Sequence, residues 1–568
     1  MFLWELDFSE VMLQGGFDIV IGNPPYISNE FITDPRYSAE ASEELPEARR
    51  ETVRERYKDQ LEAYVQRTHG FNPDGQSDYY AYFFYKGHEV LRPGGTLSFI
   101  TSDKWLDRGY GDDLQDVLLT RTDLRSIVAN RLERSFEEAD ITTAITTFNK
   151  IADGARTVGD RPRFVSCSAP YARIADPEGM QMILGGDAGD SAGEGNSDDG
   201  RTEAAYRGEP LSIRETGLAR IISVAGESLW RLGGGDAPEA QRGGRVEARG
   251  DYDGDAWGSV YIRTPTAIFE VLGQQGGKMS TLSDHGVESY LNTGGALKFY
   301  VVDEVGNAGD DLVRIRNRRS NEEFVVEERF LKPFVKGPGD IPQLRVTDDH
   351  ADGARIVAIP PSTDVDQYQI SEYIRHGEDL GFHERSGPSG RDPWWQPPTR
   401  AANGATVVLP RTHNNNHRSF YNPERVITGR FYRAHPDDDI ARFVAGVLNS
   451  TFGNLFFEIY GDPRAEGALD LYTPDYRKMP VVDPEAVEDP SLPDGCEGLF
   501  NRPIESIFDE VGASSPEEVS LDAVKHDRRA IDEFVMGEIL NLSEKQQREV
   551  YAGLVRLVDE RINKADSV

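Results

Sequence analysis

The chain has 568 residues, room for three or four domains, and carries 98 acidic against 62 basic side chains for a formal net charge of −36. So anionic a surface excludes a general basic coat for nucleic acid and argues against binding at a membrane surface. Two cysteines, Cys167 and Cys496, show no metal-ligand spacing and cannot build a disulfide framework, which points to a reducing, intracellular setting. No run reaches the roughly 18 apolar residues of a membrane span. Acids stand near Met1 where a signal peptide would carry positive charge, so a cytoplasmic protein is expected. The acid is spread along the whole length, as in proteins adapted to high salt, where ions screen the self-repulsion.

In chain order, residues 1–152 alternate short apolar runs with helical patterns. Phe17 to Ile21 reads as a buried strand closing in a turn at Gly22, Tyr79 to Leu91 as an aromatic helix, and Thr96 to Thr101 as the next strand. That alternation predicts α/β structure with a mostly parallel sheet. Residues 153–262 read as an acidic, Gly-rich linker, with solvated loops at 185–195 and 233–236 and a short helix near Ile213 to Leu232. Residues 263–485 return to short strands, turns and aromatics, which predicts an α+β domain. Residues 486–568 read as a helical tail: apolar positions recur every three or four residues over Arg528 to Leu540, and a second helix starts at Ser543.

The residues that carry chemistry are Asn23-Pro24-Pro25-Tyr26, directly after the first strand. Consecutive prolines fix two φ angles and hold the preceding residues extended. The product is a stiff loop at the carboxyl end of a strand, where open α/β sheets place ligands. Such a loop presents the Asn23 side-chain oxygen and a backbone carbonyl as fixed acceptors for the two N–H groups of an exocyclic amine. Holding those hydrogens as the nitrogen becomes tetrahedral favours its lone pair as a nucleophile. Tyr26 adds an aromatic face for a base. Asp78, just before the aromatic helix, reads either as a site residue or as that helix's cap, and Phe83, Phe84 and Tyr85 read as packing.

Here the sequence resembles the adenine-N6 DNA methyltransferases of the gamma-type, TaqI-like family. The resemblance extends to Asp78-Tyr79-Tyr80 with Phe83 and Phe84, to Leu91 through Leu106, and to Phe136 through Ile145. It implies an incomplete Rossmann-like methyltransferase sheet, S-adenosyl-L-methionine as donor, double-stranded DNA as partner, and a target adenine flipped from the duplex. It also implies Tyr26 and Phe136 against the flipped base, and Asn23 and Pro24 bordering the donor. No metal, covalent nucleophile or strong general base is required. The family's Gly-rich donor-binding turn lies well before the Asn-Pro-Pro-Tyr motif, and no such turn is found here. The nearest match, Ile183 to Asp187, sits in low-complexity sequence. A split gene with a partner chain supplying the donor-binding half, a wrong start and a truncation all remain open.

Residues 263–485 resemble the TaqI-like target-recognition domain, through Gly286 to Gly295, Arg329 to Gly337, Val407 to Arg411, Val447 to Thr451 and Leu471 to Pro480. Independently, Arg400, Arg411, Arg418 and Arg430 with Asn414, Asn415 and Asn416 lie in a basic stretch interleaved with aromatics, and Arg and Asn suit bidentate reading of guanine and adenine edges. Arg314 and Arg316, together with Lys332 and Lys336, are expected on phosphates. Trp394 and Trp395 read as packing. The expected activity is site-specific DNA methylation in a restriction–modification or phage-defence system. The alternatives are a fragment of a bifunctional restriction–methylation enzyme, its nuclease on a separate chain or segment, and a non-catalytic specificity subunit.

Overall fold

The structure, a computed structural model, describes residues 7–36, 46–131, 135, 141–152, 156–177, 179–180, 201–236, 241–242, 245–274, 277–397, 404–464 and 467–566. Phe136, Arg400 and the stretch 183–195 lie outside the described residues. The chain divides into two compact units, Met1–Gly276 and Gly277–Asp566.

The first unit is built on an eight-stranded sheet. Its strands, in chain order, are β1 (Phe17–Gly22), β2 (Leu91–Ser102), β3 (Thr122–Asn130), β4 (Thr143–Lys150), β6 (Arg163–Cys167), β7 (Arg201–Tyr206), β8 (Glu209–Glu215) and β9 (Ala219–Val224), while the short β5 (Thr157–Val158) pairs elsewhere. Their spatial order is β1-β2-β4-β3-β6-β9-β8-β7. β1, the helices Glu47–His69 and Tyr79–Val90, and β2 form one parallel strand–helix–strand crossover, the Rossmann-like part of the sheet. The sheet as a whole corrects the expectation of mostly parallel strands, because only β1–β2 and β3–β6 run parallel. The other neighbours are antiparallel: β2–β4, β3–β4, β6–β9, β8–β9 and β7–β8. The connections β7–β8 and β8–β9 are too short for a parallel crossover. The Arg207-Gly208 turn has positive φ at both residues (49° and 83°), the two-residue geometry that joins β7 to β8 as a hairpin.

Those strands also correct the reading of 153–262 as a linker. β8 and β9 replace most of the helix expected near Ile213 to Leu232, and only Gly226–Leu232 is helical. Ile213, Ile221, Ile222 and Val224 are buried, and β-branched residues fit a pleated surface. The acidic loops masked their pattern.

The helix Tyr79–Val90 packs its aromatic face on β2, Phe84 lying 5.4 Å from Phe99 and 6.0 Å from Trp105 between ring centroids. Phe84 and Tyr85 are core residues, as expected. At the other extreme, β1, expected as a buried strand, is an edge strand with Ile19 67% and Ile21 80% exposed.

The second unit holds a six-stranded sheet, ordered Glu323–Glu327, Leu312–Asn317, Val301–Gly309, Ala354–Val357, Leu331–Val335, Ile427–Thr428. It folds over a core that includes Phe299, Tyr300, Tyr373 and Trp395, with Trp394 packed against it. A small sheet joins Val407–Pro410 to Phe420–Tyr421 and Phe431–Ala434. Residues 263–485 and 486–568, expected as separate parts, share this unit from Gly277 on. The reason is a helical layer drawn from both. Thr451–Tyr460, buried at every residue, packs against Glu544–Asp566. Its first residue, Thr451, donates from its backbone N–H to Asp532 (2.6 Å), and Asp532 also accepts from Tyr551 (2.5 Å). The last helix begins where expected. Ser543 N–H donates to Gln546 Oε1 (3.0 Å) and Gln546 N–H to Ser543 Oγ (3.3 Å), a reciprocal cap.

Candidate functional site

The register of the first unit puts the Asn23–Tyr26 loop at the carboxyl ends of two parallel strands. Gly22 at the end of β1 lies opposite Phe99 of β2, and the Tyr26 hydroxyl donates to the Ile100 carbonyl (3.2 Å). Pro24 is buried, Asn23 and Pro25 are exposed, and Tyr26 is half-buried. Burial, with Tyr171 nearby, pushes the Tyr26 hydroxyl up to about 12, so it stays protonated at neutral pH. β3 ends at Asn130 and β4 begins at Thr143 on this same end of the sheet, since Ala129 pairs with Ala144 and Ser102 with Thr143. The connection in which Phe136 falls therefore starts and finishes beside the loop.

Behind the loop stands Asp78. It occupies the cap position of the helix Tyr79–Val90 but makes no capping hydrogen bond. Its Oδ1 accepts from the Asn29 backbone N–H (3.0 Å) and its Oδ2 from the Tyr110 hydroxyl (3.0 Å), which in turn accepts from Tyr80 (2.6 Å). The Tyr79 N–H donates to the Ile27 carbonyl (2.9 Å), a second tie between the loop and the helix. Burial raises the Asp78 pKa, opposed first by Tyr110. Asp78 is thus a brace for the chain leaving Tyr26. Asp78→Ala strands two partly buried donors and is expected to cost about 1–3 kcal/mol of stability, with Asp78→Asn milder because one acceptor remains. Urea denaturation followed in the first unit checks this.

In the second unit the expected DNA-contacting residues separate into exposed and committed groups. Arg411 is exposed, lies 4.8 Å over the Tyr472 ring and reaches Asp470 (3.3 Å), which also holds Arg464 (2.9 Å). Asn414 and Asn415 are exposed beside it. Asn416 instead donates to the Ile504 carbonyl (3.3 Å), and Arg418 is half-buried, donating to the Ile341 carbonyl (3.2 Å). Arg430 and Lys336 come together at one sheet end, the Arg430 N–H donating to the Lys336 carbonyl (2.8 Å), with Lys332 on the same strand. Arg314 and Arg316 alternate outward on their strand, both near Glu323 at 3.7 and 2.9 Å. Two buried charges of this unit carried no sequence signal: Glu458 is the single charge of the apolar helix Thr451–Tyr460, and Arg561 is one of many charges on the helix Glu544–Asp566. Among the described residues there is no cluster of three potential metal ligands and no helix long and apolar enough to cross a membrane.

Comparison with known proteins finds similarity in two segments of the chain. Residues 1–136 match the family model for the Eco57I restriction-modification methylase, and residues 342–513 match that for the C-terminal domain of the type II methyltransferase M.Eco57I. Over these two segments the chain is similar to type II restriction–modification methylases. The type II methyltransferase M.PaeR7I of Pseudomonas aeruginosa is 27% identical over 158 residues, which cover 28% of this chain and 23% of that protein. M.XhoI of Xanthomonas vasicola is 28% identical over 169 residues, covering 30% and 24%. The match thus spans under a quarter of each curated relative. Among solved structures, the type IIG restriction endonuclease BpuSI aligns with 96% of this chain and 54% of its own at 14% identity and a TM-score of 0.34. The type IIL enzyme MmeI, solved in complex with DNA, aligns with 97% and 57% at 11% identity and a TM-score of 0.40.

Proposed function

We propose that the first unit contributes the catalytic half of a site-specific DNA methyltransferase, acting in the cytoplasm within a restriction–modification system on the N6 amino group of an adenine flipped from duplex DNA. The observation that carries this reading is the exposed Asn23 on a proline-stiffened loop, braced by Ile100 and Asp78 at the carboxyl ends of β1 and β2. Asn23 Oδ1 and a loop carbonyl accept the two amino hydrogens and stabilise the nitrogen as it turns tetrahedral. Tyr26, its hydroxyl tied back and protonated, offers a ring face to the base and not a proton acceptor. Phe136 is assigned to the other side of that base.

S-adenosyl-L-methionine would supply the methyl group. The turns leaving β1 and β2 are Asn23-Pro24-Pro25 and Asp103-Lys104, neither rich in glycine, so these residues fit only the Asn23–Pro24 border of a donor site. We assign the rest to an α/β segment, on a longer form of this chain or on a separate one, that pairs with the open edge of β1. An edge strand that leaves Ile19 and Ile21 exposed is otherwise an aggregation hazard. Calorimetry on these 568 residues alone is expected to find no micromolar affinity for the donor; such affinity would overturn this assignment.

The second unit reads sequence through Arg411, Asn414 and Asn415. Arg314, Arg316, Lys332, Lys336 and Arg430 serve phosphates. The test of the whole reading is nucleoside mass spectrometry of DNA from cells that express the chain with its genomic flanks, the lysate assay being repeated at high potassium chloride because a chain of charge −36 repels itself in dilute buffer. N6-methyladenine above the vector control is expected. Methylation of cytosine alone would overturn the adenine assignment.

A further inference from the structure

The loop that carries Asn414 and Asn415 is held from beneath by the far end of the chain. Arg561, on the helix Glu544–Asp566, is 6% exposed. Its Nη2 donates to the Asn414 carbonyl (2.8 Å) and to Glu458 Oε1 (2.7 Å), its Nε to Glu458 Oε2 (3.0 Å), and its Nη1 to the Gly467 carbonyl. Glu458, buried in Thr451–Tyr460, also accepts from His417 Nε2 (2.9 Å). One guanidinium and one carboxylate therefore grip the loop at two points, the Asn414 carbonyl and the His417 ring.

The remaining inward groups are also committed. The Asn415 carbonyl accepts from the Ile507 N–H (2.7 Å), and Asn416 donates to Ile504. His413 Nε2 meets the Tyr476 hydroxyl (2.9 Å), which donates to the Pro410 carbonyl (2.7 Å) and so accepts from the ring. His417 Nδ1 is buried without a partner, so a proton there would be stranded; the ring stays neutral and its single N–H points at Glu458. Burial opposes charge on Glu458, but Arg561 and His417 outweigh it and hold the carboxyl down at about 2. What the loop leaves outward is the pair of side chains Asn414 and Asn415, with Arg411 beside them.

We propose that Arg561 is a positioning residue for sequence discrimination, fixing through Glu458 and His417 the loop backbone from which Asn414 and Asn415 meet base edges. This rests on the reading of that loop as a base reader. Bidentate Asn–adenine recognition depends on backbone placement, and a well-placed pair discriminates by roughly tenfold or more. Lysine at 561 keeps a positive charge for Glu458 but lacks the planar fork needed to span the carboxylate and two carbonyls.

The experiment uses the full chain and a randomised duplex library. Wild-type protein selects an enriched duplex, and its affinity is compared with that for a scrambled one across a salt series. Arg561→Lys is expected to lower the enriched-to-scrambled ratio by roughly tenfold, with scrambled binding, its salt slope and the thermal midpoint near those of wild type. An unchanged ratio, or equal loss on both duplexes, overturns the proposal. The double substitution Asn414→Ala with Asn415→Ala runs in parallel. If it too leaves the ratio unchanged, the base-reading assignment fails and takes the proposal with it; if it alone lowers the ratio, the assignment stands and only the role of Arg561 falls. Should Arg561→Lys not fold, His417→Gln loosens the second grip while keeping a donor for Glu458, and is expected to lower the ratio; an unchanged ratio there also overturns the proposal.

Discussion

Asn23→Ala is expected to lower methylation by about two orders of magnitude while duplex binding survives. The substitution removes one of two acceptors that engage the amino hydrogens most strongly as the nitrogen turns tetrahedral. Losing one preorganised partner of a developing charge typically costs about 3 kcal/mol. Asn23 is exposed, and the loop's conformation is set by Pro24, Pro25 and the Tyr26–Ile100 hydrogen bond, so the fold should not answer for the loss. The proposed base-reading and phosphate residues all lie in the other unit, so affinity for DNA should hold. Asn23→Asp keeps an acceptor oxygen and should retain part of the activity. The measurement is single-turnover methyl transfer in an assembly that binds the donor, alongside duplex affinity. Near-wild-type transfer by Asn23→Ala would sink the amino-methylation mechanism.

The Asn23–Tyr26 loop was legible because its geometry is written locally: two prolines after an apolar strand leave the chain little choice. The aromatic helix was legible for a similar reason, its period being visible over Tyr79–Val90. What was hidden depends on contacts distant in sequence. Strands β7 to β9 are short, fewer than half of their residues are buried, and they sit beside acidic, Gly-rich stretches, so composition read them as linker. Asp78 read equally as a site residue or as a helix cap, because an Asp just before a helix serves either use. Only the fold brings Asn29 and Tyr110 to its two oxygens. Arg418 and Asn416 looked equivalent to Arg411 and Asn414, since nothing in His413-Asn-Asn-Asn-His-Arg418 says which side chains face the helical layer. The inward groups of that loop meet partners far along the chain, among them Arg561, 147 positions from Asn414.

The first unit should lose stability steeply as pH falls from about 6.5 toward about 4, and the cause is two buried histidines. His69 and His88 lie 5.5 Å apart between ring centroids, and each has its Nε2 facing a carbonyl, of Tyr85 (3.1 Å) and Arg121 (3.3 Å). Burial is the main cause that lowers both, His69 to about 4 and His88 to about 3. Lys150 reinforces it at each ring and the Arg121 charge does so at His69, whereas the Tyr85 carbonyl and Glu89 oppose it at His69 and the Arg121 carbonyl opposes it at His88. An unfolded chain takes up a proton at each ring near pH 6.5, whereas the folded unit refuses it. Below that pH the unfolded state binds more protons, so the stability present above about 6.5 is lost as pH falls through the folded values. Two protons give a slope of up to about 2.7 kcal/mol per pH unit, and a total on the order of 5 kcal/mol, comparable with the whole stability of many domains. Protonation of surface acids relieves the self-repulsion of the −36 chain, but that relief comes mostly below about pH 4, outside this window. Amide hydrogen exchange over Tyr79–Val90, measured near pH about 7 and about 5 and corrected for intrinsic rates, reads the effect in this unit alone. His88→Gln, which keeps a donor toward Arg121 but cannot titrate, is expected to halve the slope. Protection that stays constant across the window in the wild-type protein would mean that water reaches both rings and that the histidines titrate as if exposed.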